Sequence, residues 1–449
     1  MSVRPHVVVI GGGLAGLAAA LDSADAGARV TLLERRNRLG GLTWSFEHGG
    51  LSVDNGQHVF LRCCEDYLSF LQRIGARGEV ELPPRLDIPV VAPGSPPKVG
   101  RLRRSALPAP LQLAGSLLRY PHLSRRDRLG LGRAMLALRR LRLDDASLDD
   151  ISFGDWLTSK GQSRAAIAAV WDLITVPTLN LPAAEASLSL GAMVFRTGLL
   201  EDPAAADIGW SRVPLGVLHG ERAGRALTRA GVDVRLGTRI EFVRSDPTGG
   251  YTADGMHADA VVVALPHEEA AQVLPAGAVP HQERLAELGV SAIVDIHLIY
   301  DRPVTAWPLM AAVSSPVQWV FDRTSSSGLT SGQYLAVSIS AADRLLTEPP
   351  QSLVRRIAGE LCHLLPMSAE ARLVDSLVTK ERRATFRAAP GTASLRPGAH
   401  TSFPGLVVAG AWTDTGWPAT MEGAVRSGRA AARAALGAMQ TIPVTKEVA

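Results

Sequence analysis

The first thirty-four residues constrain this chain more than any other part of it. His6–Ile10 (HVVVI) is a short β-branched run of the kind that makes a buried parallel strand. Gly11, Gly13 and Gly16 follow directly in GGGLAGLAAA, and an alanine-rich helix is expected as far as Gly27. Arg29–Leu33 (RVTLL) then reads as a second strand that ends on Glu34. Together these parts form a βαβ unit of about thirty residues, which is far more specific than a lone glycine pattern. Gly11 permits the tight turn, Gly13 lets the backbone approach a pyrophosphate, and Gly16 lets helix and strand pack closely. The helix N-terminus, with the amides of Leu14 and Ala15, offers free N–H groups and partial positive charge to phosphates. Glu34 is placed to accept hydrogen bonds from an adenosine ribose, and its charge disfavours a 2′-phosphate. The expected fold class is α/β, a Rossmann-type dinucleotide domain joined to a mixed helix-and-sheet domain.

A length of 449 residues suits about two to three domains, and 46% hydrophobic with 20% charged residues excludes wholesale disorder. Three cysteines, with Cys63 and Cys64 adjacent, provide neither a disulfide framework nor a CxxC pair, so a reducing, cytoplasmic compartment is expected. No basic-then-apolar leader is expected, because an apolar run begins almost at once and enters the glycine loop. The longest uncharged windows, Pro303–Phe321 and Thr324–Ala342, are broken by prolines or rich in Ser and Thr, so no bilayer crossing is expected.

Charge is unevenly spread. The chain carries a formal net charge of +4, yet Lys98–Arg142 holds twelve basic residues and one acidic residue, Asp127. That stretch is +11 and the remainder −7. Leucines interleave with its arginines, as in Arg133, Leu136, Leu138, Arg139, Arg140, Leu141 and Arg142. Such a basic amphipathic helix reads either as an element resting on a membrane surface or as a solvated face whose leucines point at the core. Nucleic acid is not an expected partner, since aromatic stacking groups and a reader motif are missing.

After Glu34 the chain continues Arg35, Arg36, Asn37, Arg38, Leu39, Gly40, Gly41, and here it resembles the FAD-binding amine oxidase and phytoene desaturase superfamily. A second GxGxxG and a redox-active cysteine pair are both absent, unlike the pyridine-nucleotide disulfide reductases. Two further segments, Asp54-Asn55-Gly56-Gln57-His58-Val59-Phe60 and TGWPATMEGAVRSG near the C-terminus, resemble the squalene-associated FAD-dependent desaturases, the hydroxysqualene dehydroxylases. That resemblance runs nearly the whole length. It implies FAD as cofactor, hydroxysqualene or a related polyprenyl lipid as substrate, and reductive removal of the hydroxyl to give squalene.

The resemblance also implies flavin contacts from Arg35, Arg38, Gly40, Gly41, Leu42, Asn55, Gly56, Gln57 and His58. Val234–Val243 and Ala258–Leu265 read as two strands walling the adenine side, with Arg239 and Ile240 as contacts. Gly405–Gly410 reads as a strand, and a helix is expected from Thr420 to about Leu436. Gly410, Asp414, Pro418, Ala419, Thr420 and Met421 are the expected contacts there, with the helix N-terminus facing the flavin ring. Where the superfamily commonly has an aspartate after Ala-Gly, this sequence has Ala411, and Asp414 is the candidate to stand in. Segments of about 1–60, 210–275 and 395–437 should then build one FAD domain. Residues 61–209 and 276–394 should form a substrate and membrane-facing domain, with 438–449 as a flexible tail.

Ionising an allylic alcohol needs a proton donor for the leaving hydroxyl, then a hydride. His58 and Asp54 are the candidate acids. The competing interpretation is a turn packing on the flavin, with His58 a satisfied core residue. The remaining histidines show no metal-ligand spacing, and His267 is expected as a surface residue at a helix start. Ser152–Leu200 reads as helical, with Trp156, Trp171 and Phe195 as core or tunnel wall. Ser291–Tyr300 and Gln333–Ile339 alternate as strands of a sheet roofing the cavity. The expected protein is a peripheral enzyme on the inner face of the cell membrane, near neighbouring isoprenoid enzymes. The alternatives are a carotenoid-type polyprenyl desaturase, in which flavin removes hydride, and a non-catalytic flavin-bound lipid carrier. An amine substrate suits an apolar cavity beside a basic surface less well.

Overall fold

The computed structural model describes residues 4–441. Its first layer is a five-stranded parallel sheet ordered Asp233–Arg235, Arg29–Leu33, His6–Ile10, Ala260–Val263 and Leu406–Val408. The three central strands are almost continuously apolar because helices and a small sheet cover both faces, as a buried parallel sheet requires. Helix Leu14–Asp25 packs along the last helix, Met421–Thr441, and the closeness is set by Gly428 lying against the Ala15 carbonyl. A Cβ at Gly428 would overlap that oxygen.

The second layer is a seven-stranded mixed sheet, ordered Leu373–Thr385, Ser291–Tyr300, Gln333–Ile339, Trp319–Asp322, Leu309–Ala312, Asp87–Ala92 and Lys98–Arg103. Ser291–Tyr300 and Gln333–Ile339 pair antiparallel, with Asp295 opposite Ser338 and His297 opposite Ala336. On the other side Asp295 stands opposite Thr379. One face of Ser291–Tyr300 (Val294, Ile296, Leu298) packs with Leu353, Ile357 and Leu361 of helix Pro350–Leu364. The opposite face therefore carries Asp295, His297 and Ile299, and it turns toward hairpin Ser45–Asp54 through Val53 and Tyr334. Farther along the same face Phe321, Leu309, Ala311, Val90 and Ile88 pack with Phe153, Trp171 and Phe195 from a helical block between residues 153 and 200.

Several local expectations change. The run Val234–Val243 is not one strand. It breaks at Gly237, which takes φ +67°, and Val243–Ser245 joins a separate three-stranded sheet. The last helix continues through Thr441, so the segment from 438 starts as helix, and 442–449 lie outside the described residues. His267 does begin a helix, but it is buried rather than on the surface, because its ring packs beside Trp412.

The basic stretch divides. Helix Arg125–Arg139 buries Leu131, Ala134 and Leu138 while Leu129 and Leu136 face outward among Arg126, Arg133 and Arg140. The lone acid, Asp127, serves the helix start. Its N–H donates to Ser124 Oγ at 3.1 Å, and its carboxylate accepts from the Ser124 and Ser163 hydroxyls. No helix among the described residues is long and apolar enough to cross a membrane.

Candidate active site

The glycine loop leaves the N-terminus of helix Leu14–Asp25 without any side-chain cap. Its first amides have no intrahelical partner and must find one outside the helix. Gly13 adopts φ −78°, and a Cβ there would meet only the Gly41 Cα, at 3.7 Å. A Cβ on Gly16 would be driven into the Gly11 carbonyl oxygen. Gly16 is thus a packing glycine, whereas Gly13 keeps space open in front of uncapped amides. The Glu34 carboxylate accepts from Gly12 N at 2.6 Å and Arg36 N at 2.8 Å, which orients it and leaves lone pairs over. Gly40 N donates to Gly12 O at 2.9 Å, docking the second glycine pair against the first loop. Arg38 donates to Gly41 O at 3.0 Å and stacks on Trp44 at 4.1 Å. Burial, helped by the neighbouring Arg36 charge, pulls the Arg38 pKa down to about 10, which leaves it cationic at neutral pH. Free amides, an oriented carboxylate and a fixed cation fit the diphosphate and ribose of FAD.

The turn at residues 54–58 follows. Asp54 is occupied on both oxygens, accepting from Ser45 Oγ (2.6 Å), Leu215 N (2.8 Å) and Arg323 Nη2 (2.6 Å). Arg323 also donates to Ser211 O, so the pair ties hairpin, sheet and turn together in the interior. Asn55 spans Leu42 O and Trp44 N. The Gln57 amide nitrogen is buried without a partner, a donor left for a ligand. His58 donates from Nδ1 to Gly56 O at 3.1 Å, and burial lowers its pKa. It is therefore a neutral imidazole with Nε2 as an acceptor, in the tautomer its hydrogen bond requires. Its ring is only half-buried, so part of it stays accessible.

Reading the chain in order missed the residues that the second sheet delivers. Asp295 is fully buried, neither carboxylate oxygen makes a hydrogen bond of full geometry, and one lies 3.4 Å from where a Gly56 Cβ would sit. Burial, with the Asp54 charge adding, pushes its pKa up to about 7 against the opposing Ser338 hydroxyl and Gln57 N–H. His297 binds the Tyr334 hydroxyl through Nδ1 at 2.6 Å and Thr379 Oγ1 through Nε2 at 3.1 Å, and burial lowers its pKa to about 3. His219 meets the Tyr67 hydroxyl at 2.9 Å and leaves Nδ1 unpartnered; burial, then His58, takes its pKa to about 3. A signal existed. In SAIVDIHLIY the polar residues Asp295 and His297 alternate with Val294, Ile296 and Leu298, and ionisable groups are seldom fully buried without a purpose.

Other expected contacts scatter. Arg35 reaches away to Glu269 at 3.1 Å, and Leu42 is 39% exposed. Arg239 is exposed, while Ile240 sits in the core beside Ile10 and Val243. Gly410 N donates to Ser427 Oγ at 2.9 Å. Asp414 is exposed and closes its own turn by accepting from Gly416 N at 3.1 Å. The loop beneath it is organised instead by buried Arg396, which donates to the carbonyls of Trp412, Thr413 and Trp417. Pro418 O accepts from Thr420 N, and Ala419 and Thr420 are half-buried. Thr420 Oγ1 takes Gly423 N at 3.1 Å, leaving the amides of Met421 and Glu422 without intrahelical partners.

Residues 14–436 match the family described as flavin containing amine oxidoreductase. The hydroxysqualene dehydroxylase of Rhodopseudomonas palustris is 32% identical, across 98% of this chain and 99% of that protein. The zeta-carotene desaturase of Synechocystis is 24% identical, across 96% and 97%. Among solved structures, putrescine oxidase bound to putrescine superposes with a TM-score of 0.70 at 18% identity, over 97% of this chain and 99% of that one. The chain belongs to the flavin containing amine oxidoreductase family, with FAD as its cofactor.

Proposed function

We propose that this chain removes the hydroxyl of hydroxysqualene reductively, giving squalene. The observation that carries the reading is the inner face of the seven-stranded sheet. At the end next to the 54–58 turn it presents Asp295, Ser338, Thr379 and His297. It then becomes apolar through Trp319, Phe321, Leu309, Ala311 and Val90 toward the helical block. Such a face suits one long hydrocarbon that carries a single polar group near the flavin. The 32% identity to a hydroxysqualene dehydroxylase over nearly the full length supports the same substrate.

Reduced FAD, when bound, supplies a hydride. The protein holds the lipid, excludes water and manages the hydroxyl. His58 Nε2, an acceptor on a half-buried ring, orients the hydroxyl by accepting its proton in a hydrogen bond. Asp54 holds Arg323 and the turn in place, and both its oxygens are committed to that task. We read segments 1–60, 210–275 and 395–437 as the flavin half and the intervening segments as the lipid-facing half.

We also assign residues 98–142 to an anionic membrane surface on the cytoplasmic side. Of the thirteen exposed large hydrophobic residues among those described, six (Val99, Leu107, Leu111, Leu118, Leu129 and Leu136) lie in this tenth of the chain. Around them Arg119, Arg125, Arg126, Arg133, Arg139 and Arg140 are exposed and make no ion pair among the described residues. Apolar side chains amid unpaired cations match a bilayer interface, and the same route admits a lipid substrate.

The deciding experiment is anaerobic. The FAD-loaded protein is reduced chemically and mixed with hydroxysqualene, then flavin reoxidation and product mass are followed together. Reoxidation coupled to squalene is expected. Stable reduced flavin, with oxidised flavin instead dehydrogenating a polyene precursor, would replace this reading by the desaturase.

A further inference from the structure

We propose that Asp295, acting through the hydroxyl of Ser338, supplies the proton that lets the substrate hydroxyl depart as water. The inference rests on the dehydroxylation reading above and names the acid that reading requires.

Four observations converge on it. Asp295 is fully buried, and its carboxyl makes no hydrogen bond of full geometry, with only the Ser338 hydroxyl and the Gln57 N–H close enough to act on it, although a buried carboxyl that served structure alone would be fully hydrogen-bonded. It lies directly opposite Ser338 across the strand pair, on the same face, where side chains of such pairs stand about 5 Å apart at Cβ. Ser338 and its other neighbour on that face, Trp319, are only half-buried, so both keep accessible surface. Asp295 also sits under the Gly56–His58 turn, beside the half-buried His58 ring. The alternatives are spoken for. Asp54 is committed to Arg323, Ser45 and Leu215, and His58, His297 and His219 are neutral imidazoles.

Charge around the carboxyl keeps the proton available. Asp54 faces it from the turn and disfavours a second anion, while Arg323 is already paired with Asp54. His58, His297 and Tyr334 contribute no positive charge, and Glu381 on the outer strand is one pair further along the same face. Burial therefore dominates, and the carboxyl titrates near neutrality, where a general acid is most useful.

In the step itself the allylic C–O bond breaks. The Ser338 hydroxyl gives its proton to the departing oxygen and takes one from Asp295, and water leaves. FAD, when bound in its reduced form, would supply the hydride that closes the carbon and would take up the accompanying two-electron oxidation, and the Asp295 carboxylate is reprotonated from solvent.

The test uses the FAD-loaded protein with Asp295→Asn and Ser338→Ala. Asn preserves size, and both variants should keep their FAD content and melt no lower than wild type. With hydroxysqualene, Asp295→Asn should be about 100- to 10,000-fold slower in single-turnover reoxidation, the range for a lost general acid. Its rate should also lose the fall that wild type shows above about pH 7. The acetate ester of hydroxysqualene, whose leaving group departs without a full proton, should react with the variant within about tenfold of wild type. Infrared difference spectra at pH 6 should show a protonated-carboxyl band in wild type that Asp295→Asn lacks, with or without FAD. A variant as fast as wild type, an ester slowed as much as the alcohol, or no such band overturns the assignment. An unimpaired Ser338→Ala overturns the relay. A wild-type protein that makes no squalene overturns the reaction, and the donor with it, whereas squalene formation unaffected by Asp295→Asn overturns the donor alone.

Discussion

Substituting Gly13 should separate cofactor binding from folding, because the two glycines of one loop have opposite surroundings. A methyl at Gly13 meets only the Gly41 Cα at 3.7 Å, ordinary contact, and φ −78° suits any L-residue. The apoprotein of Gly13→Ala should therefore match wild type to within about 1 kcal/mol, the entropic gain of Gly→Ala offsetting a poorer N-cap. The same methyl projects into the space that the uncapped amides of Leu14 and Ala15 keep for the diphosphate. Overpacking a fitted site costs about 1–3 kcal/mol, which is roughly 5- to 150-fold in FAD affinity. Gly13→Val should lie at the upper end. Gly16→Ala, whose methyl would overlap the Gly11 oxygen, should fail to fold with or without FAD. Flavin-stripped protein is titrated with FAD by fluorescence quenching and melted with and without cofactor. At 100 times Kd, FAD adds about 2.7 kcal/mol to wild-type stability, of which about 0.9 kcal/mol should vanish after a 5-fold loss of affinity in Gly13→Ala and about 2.4 kcal/mol after a 150-fold loss in Gly13→Val, while the apo melting temperature holds. Wild-type FAD affinity in Gly13→Val, or an apo form destabilised as badly as Gly16→Ala, would refute the argument.

Removing one member of the buried Asp54–Arg323 pair by Arg323→Met should cost about 3–5 kcal/mol in denaturant unfolding, and Asp54→Asn in the same chain should return much of it. Acidification should destabilise the fold, because His219 and His297 stay neutral down to about pH 3 when folded but take protons near 6.5 when unfolded. Asp295 has the opposite sign: its raised folded pKa means stability lost as pH rises from about 4 to about 7. Two histidines against one carboxyl leave a net loss of about 1.4 kcal/mol per pH unit on going from 6.5 toward 4, and Asp295→Asn should roughly double that slope in melts across pH. Reversing Arg126, Arg133 and Arg140 to glutamate should weaken sedimentation with anionic vesicles by at least about 100-fold at low salt, at about 1 kcal/mol per lost cation. Unchanged sedimentation would make this an ordinary solvated face.

The cofactor half was legible in the sequence because its determinants are local. Within thirty residues the order strand, glycine loop, helix, strand and acid specifies both a βαβ unit and the ligand at its turn, and the structure places Gly13, Glu34 and Gly40 accordingly. The alternation in Ser291–Tyr300 was equally plain as strand. Pairing partners were not: nothing in the chain order says that Asp295 will face Ser338, or that this face will meet Gly56, some 240 positions earlier. Exposure was likewise undecided for the arginine–leucine stretch. One helix period sends Leu131 and Leu138 inward and Leu129 and Leu136 outward, and only docking against Trp171 and Phe195 settles which leucines are which. Asp414, named from its proximity in sequence to the Ala411 loop, is exposed and accepts from Gly416 N within its own turn, an arrangement that only the folded loop reveals. Local propensity and short motifs thus determined the βαβ unit and its glycine loop. Long-range strand pairing, a cooperative property of the whole core, decided which buried carboxyl stands beside the Gly56 turn.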